Sequence, residues 1–400
     1  MSSTDLDGQQ GSRWRLTPMR PRDPNEPARV ASSLELFFDL VFVVAVSIAA
    51  VQLHHAMTEG HILDGLLHYA MVFFAIWWAW MNFTWFATSF DTDDWLYRVV
   101  TIVQMGGVLV LAAGVEPAFV DDDFRLMIAA YVVMRIAMVT QWLRASRSGG
   151  DHRRTAQTYA VGITIVQVLW IAYIPLSGTT AGIAIVFLIA AELAVPVIAE
   201  RGGTTPWHPH HITERYSLFT LILLGESLLA SANAVLEAVH AHEDLAPLIA
   251  IAVLALVVTA ALWWIYFWPP HHHAIGTLRE SLRYGYVHYF VFAAAGAFSA
   301  GIEVEIDVLT GHSELSETTA SFTVTVPIAV FLLGVWWIAI RPCADRLVNT
   351  VLPVAALLVL LDPLIPIPIT LTALVMAAVV AFLVWRSPAG RASLPESAAD

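Results

Sequence analysis

Twelve runs of roughly 20 predominantly apolar residues follow one another along this chain, and that succession constrains its fold more than any other feature. At about 1.5 Å rise per residue such a run matches a hydrocarbon core about 30 Å thick. Within lipid the backbone must satisfy its own hydrogen bonds, so the runs are expected to be helices and the fold class all-α, a polytopic integral membrane protein with about twelve transmembrane helices. The runs lie at approximately 34–54, 66–90, 98–117, 123–145, 155–175, 180–200, 213–236, 246–268, 284–303, 320–340, 345–361 and 367–386. Pro363, Pro366 and Pro368 leave only a short turn between the last two, and Pro196 is placed to kink the sixth. Composition agrees: 58% of residues are hydrophobic and 13% charged, with mean hydropathy +0.68, beyond what a soluble domain of this length carries. The formal charge of −13 belongs to the loops and gives no footing for a nucleic-acid partner; the bilayer is the expected one.

Orientation follows from the basic residues, all of them Arg. The first 31 residues carry Arg13, Arg15, Arg20, Arg22 and Arg29, and alternate connectors add Arg98, Arg144, Arg147, Arg153, Arg154, Arg201, Arg215, Arg279, Arg283, Arg341, Arg346, Arg386 and Arg391 on the same side. Only Arg125 falls on the other. This positive-inside asymmetry puts both termini in the cytoplasm. The polar, Pro- and Arg-rich segment 1–31 reads as a disordered cytoplasmic tail, and 387–400 as a short second one.

Between the tails the chain looks duplicated, 32–200 against 201–386, at a displacement of about 187 residues. Asp39 falls on Glu226, Trp77-Trp78 on Trp263-Trp264, and Gly114-Val115-Glu116 on Gly301-Ile302-Glu303. Six spans return the chain to its starting side, so the halves would be parallel repeats, an arrangement seen in some transporters.

The segments SSLELFFDLVFVVAV at 32–46, FDTDDWLYRVVTIVQM at 90–105 and HITERYSLFTLILLGES at 211–227 together resemble the bacterial low temperature requirement A family. The resemblance covers nearly the whole chain between the tails. It implies a multi-pass bacterial inner-membrane protein of a family named for a growth phenotype, without an established biochemical activity. The positions that match its motifs are Glu35, Phe38, Asp39, Asp91, Asp93, Asp94, Arg98, Glu214, Arg215, Gly225 and Glu226.

Ionisable groups in apolar runs are costly, and they mark ion paths or interhelical bonds. Glu35 and Asp39 share one face of the first helix, with Glu35 also placed to favour the helix N-terminus. Glu226 lies deep in the seventh span with Asn233 seven residues on, and Arg135 stands in the middle of the fourth as the only evident deep Arg. Because two repeat-equivalent acids face one deep base, Asp39 and Glu226 are expected near a common centre, one of them served by Arg135 or Asn233. This set, Glu35, Asp39, Arg135, Glu226 and Asn233, is the expected ion or substrate path. Asp91, Asp93 and Asp94 before Arg98, together with Glu214-Arg215, read as a cytoplasmic ion-pair network. Glu116 with Asp121 to Asp123, and Glu303 with Glu305 and Asp307, read as acidic outer loops. The indoles of Trp77, Trp78, Trp80 and Trp85 read as packing or interfacial anchors.

The histidine groups at 208–211 and 271–273 leave a metal reading open beside solvated helix ends, and no metal or cofactor is assigned. One cysteine, Cys343, excludes a disulfide within the chain. No Walker A sequence, dinucleotide fingerprint, HExxH or nucleophile elbow is present, so enzyme chemistry is not expected. The expected function is a secondary transporter or permease for an unidentified small solute or ion, proton- or cation-coupled through buried carboxylates. A channel-like cation conductor and a non-transporting membrane sensor or structural protein supporting growth in the cold are the alternatives.

Overall fold

A computed structural model describes residues 16–23, 26, 30–150, 152–241, 245–365 and 369–386. Twelve long helices dominate: α1 Ser33–Thr58, α2 Ile62–Ser89, α3 Trp95–Val120, α4 Arg125–Arg147, α5 Arg153–Tyr173, α6 Gly178–Glu200, α7 Pro209–Ala241, α8 Leu245–Phe267, α9 Leu278–Thr310, α10 Glu317–Ile340, α11 Arg346–Leu361 and α12 Thr370–Arg386. Eleven of the helices are long and apolar enough to cross a membrane. The last is apolar but has 17 residues, and at about 1.5 Å per residue it falls somewhat short of a full crossing. The expected count of twelve is therefore close.

The helix starts are written in local chemistry. Asp94 accepts from Tyr97 N at the head of α3, Asp345 from Val348 N at α11, and Thr277 with Glu280 forms a reciprocal capping box at α9. Ser32 and Glu35 do the same for α1: Ser32 N donates to Glu35 Oε2 at 2.7 Å and Glu35 N to Ser32 Oγ at 3.3 Å. Side chains such as Phe187, Val186 and Ile136 stand 64–71% exposed on their helices, an arrangement that lipid accommodates and water penalises.

Two expectations change. Glu303, Glu305 and Asp307 are not in an outer loop, because α9 runs on to Thr310. Part of the expected tail is ordered: Arg20 and Pro21 pair with Asp91 and Phe90 in a two-residue antiparallel ladder, and Met19 is buried. The remaining tail residues, 1–15 and 387–400 included, lie outside the described residues, as does the Asp91 side chain.

The chain forms two compact units, one of residues 1–45 and 75–215, the other of 46–74 and 216–400. In the first, α3 packs on α4, α4 on α5 and α5 on α6; in the second, α9 packs on α10, α10 on α11 and α8 on α12.

Candidate functional site

Among the described residues, the first unit holds two buried groups of carboxylates with a guanidinium, one around Arg215 and one around Arg135. Asp39, in the second turn of α1, and Arg215, in the second turn of α7, are both fully enclosed. Arg215 grips Asp39 with both prongs of its fork, Nε to Oδ2 at 3.0 Å and Nη2 to Oδ1 at 2.6 Å, a geometry in which each bond is charge-assisted. Trp80 Nε1 adds a third donor to Asp39 Oδ1 at 2.6 Å.

Glu35 lies one turn away and is held more loosely. Its Oε2 is occupied in the capping box, and its Oε1 stands 3.3 Å from Arg215 Nη1 and 3.3 Å from His211 Nε2. The other ring nitrogen of His211, Nδ1, meets Thr88 Oγ1 at 3.0 Å. The group therefore has a tight end, Asp39–Arg215–Trp80, and a loose end, Glu35–His211.

In the second pair Arg135 Nη2 donates to Glu192 Oε2 at 2.9 Å. Glu192 also accepts from Trp78 Nε1 at 2.7 Å and from Trp170 Nε1 at 3.2 Å. The Arg135 guanidinium lies 5.1 Å from the centre of the Tyr131 ring.

These placements correct the expected pairing. Arg135 serves Glu192 rather than Asp39 or Glu226, and Arg215 is a second deep Arg rather than part of a surface latch. The reason is helix phase and length: α7 begins at Pro209, four residues earlier than its apolar run suggests, so Arg215 is already one turn inside. Glu214 remains half-buried beside it. Glu226, in the second unit, accepts from Ser47 Oγ at 2.6 Å, while Asn233 is exposed on α7. Glu192 carried the same signal as Asp39, an acid inside an apolar run, and was missed. The indoles of Trp78 and Trp80 are hydrogen-bond donors as well as packing bodies.

The acidic connector divides in two. Asp93 makes an exposed fork pair with Arg98, at 2.6 and 2.8 Å. Asp94 is bonded by Arg144 and by the Thr17 amide and hydroxyl. Partial burial opposes ionisation of Asp94, yet the Arg144 bonds, with the Tyr97 and Thr17 amides, hold its carboxyl down at about 2.

Two further polar clusters occupy the second unit. His54 lies between Glu303 at 3.3 Å and Asp307 at 2.6 Å. His271 Nε2 donates to Tyr266 O at 2.6 Å, so its Nδ1 accepts from Tyr284 Oη at 3.0 Å. Burial pushes the His271 imidazole down to about 4 and keeps it neutral. Among the described residues no three His, Cys, Asp or Glu side chains are grouped to hold a metal ion. A cavity of about 210 Å³ between α1, α2, α9 and α10 presents only apolar surface.

The family model described as bacterial low temperature requirement A protein matches residues 30–385, almost the entire helical region. The chain belongs to this family. The chain is also similar to an uncharacterised protein of Rhizobium meliloti (strain 1021), 28% identical over 265 residues, 62% of this chain. The match spans 60% of the length of that relative. Family membership and the apolar helices together make this a multi-pass bacterial membrane protein.

Proposed function

We propose that this member of the family is a secondary transporter for a small solute or ion, driven by proton exchange at the Glu35–His211 end of the buried group, with both termini cytoplasmic. The observation that carries this reading is the charge count. Asp39, Glu35 and Arg215 sum to one negative charge, which His211 cancels only when it holds a second proton. Burying net charge is costly, so a proton is favoured when the group is closed and is released when Glu35 and His211 meet water. The looser 3.3 Å contacts favour Glu35 and His211 as the exchanging groups; Asp39, clamped by three donors, positions Arg215 for them.

The experiment is uptake into proteoliposomes from a panel of labelled amino acids, sugars, amines and inorganic ions under an imposed pH gradient. Uptake of at least one class in wild type, lost in Glu35→Gln with the protein still monodisperse, is expected. Absence of gradient-driven uptake across the panel, or uptake unchanged in Glu35→Gln, overturns the proposal.

A further inference from the structure

The middle of the first unit holds buried polar groups that the charged pairs do not use. Gln167 on α5 is 7% exposed and both amide atoms, Oε1 and Nε2, lack a protein partner; Gln104 Oε1 on α3, 1% exposed as a residue, also lacks one. A buried amide without partners forfeits the hydrogen bonds that water gave it in the unfolded chain. Each such amide, enclosed in a membrane protein, calls for a partner that the chain does not supply.

Helix register sets that depth. A Cβ on Gly107 would stand 2.6 Å from Met134 Cγ, which brings Gln104, three residues before Gly107, within about a turn of Arg135 on antiparallel helices. Trp142 stacks on Tyr159 at 4.1 Å. Stepping seven residues back from Trp142 gives Arg135, and eight on from Tyr159 gives Gln167, so these two are level. Gln167 also shares a face of α5 with Trp170, three residues on, whose indole reaches Glu192. Gln104, Arg135, Gln167, Glu192 and Trp78 thus form one polar layer at mid-helix.

We infer that this layer is a binding site for a small uncharged solute bearing both a hydrogen-bond donor and an acceptor, with water its smallest occupant. Arg135 and Glu192 neutralise each other there, so the open valences are amide-like: two carbonyl-type acceptors and one NH₂ donor. A hydroxyl, an amide or water matches them, whereas a bare ion finds no uncompensated counter-charge. The site rests on the transporter reading for its role and supplies that reading with a solute class. It also sits next to the proton-exchanging group: Trp78 and Trp80 lie two residues apart on α2, one bonded to Glu192 and the other to Asp39. A movement of that single turn alters both pairs.

Water is the probe that tests it. X-ray-generated hydroxyl radicals form from water in place and oxidise side chains beside it, so the full chain in nanodiscs is irradiated and oxidation at Trp78 and Met134 is read by mass spectrometry. Both residues are about 1% exposed. Oxidation of either above the level at the outward-facing Trp263 is expected, falling by about half or more in Gln167→Leu, which removes the amide that holds water. Protection of both Trp78 and Met134 in folded wild type, with oxidation recovered after denaturation, overturns the site. Because the readout is water and not flux, failure of pH-driven uptake would leave this result standing, and the two claims fail separately.

Discussion

At the residue scale each buried charge depends on the partner it has. Removing Arg215 strands Asp39 and Glu35 together, and breaking a buried pair from one side costs about 3–5 kcal/mol. Arg215→Ala is therefore expected to lower the unfolding temperature in detergent sharply, with Asp39→Asn added to Arg215→Ala restoring part of the loss. A double variant no more stable than Arg215→Ala alone would show that Asp39 does not depend on this guanidinium. Asp94 offers a pH test. Its carboxyl sits at about 2 in the fold against about 3.9 in an unfolded chain. Its contribution is thus complete above about 4 and is lost as pH falls through about 2. Asp94→Asn should remove that acid-side dependence of stability. At neutral pH it should also speed tryptic cleavage after Arg22, because Thr17 loses its anchor. Unchanged cleavage would detach the ladder from Asp94.

At the element scale the helices close on one another through small residues, as packing in lipid requires. Gly301 on α9 rests against the Thr323 carbonyl of α10, and a Cβ there would stand 3.0 Å from Val324 N. Backbone cannot yield as a side chain does, so Gly301→Ala should cost about 1–3 kcal/mol of stability. Gly106, with nothing within 4 Å, should gain up to about 1 kcal/mol on the same change through helix propensity. Equal effects in a thermal-shift comparison would contradict the close approach. Elements of this kind were legible in the sequence: each expected span has its helix, because apolar length decides them. The ends were less so, since α7 and α9 are extended by polar turns such as HPHH before Ile212 and EVEID after Ile302 that hydropathy alone assigns to loops. Partners were least legible. Asp39 was visible as a costly acid, but its bond to Arg215 spans 176 residues of sequence and depends on the rotational phase of two helices. Glu192 was equally visible, and an even-handed search for acids in apolar runs finds it.

At the scale of the whole molecule a polytopic membrane chain encloses a buried group of charged side chains. Gly114 closes α3 on α4 in the first unit, with Met127 N 3.0 Å from a Cβ placed on it, as Gly301 closes α9 on α10 in the second. The six-plus-six repeat expected from the sequence is tested by superposition of α1–α6 on α7–α12. The central claim is that the Glu35–His211 end exchanges a proton during transport, and the direct measurement is proton movement itself. Proteoliposomes loaded with a pH-reporting dye are given each solute of the panel in turn without an imposed gradient. The account predicts acidification of the lumen on addition of a transported solute, present in wild type and absent in both Glu35→Gln and His211→Gln. Solute entering without any proton, or a proton signal undiminished in both variants, would contradict it.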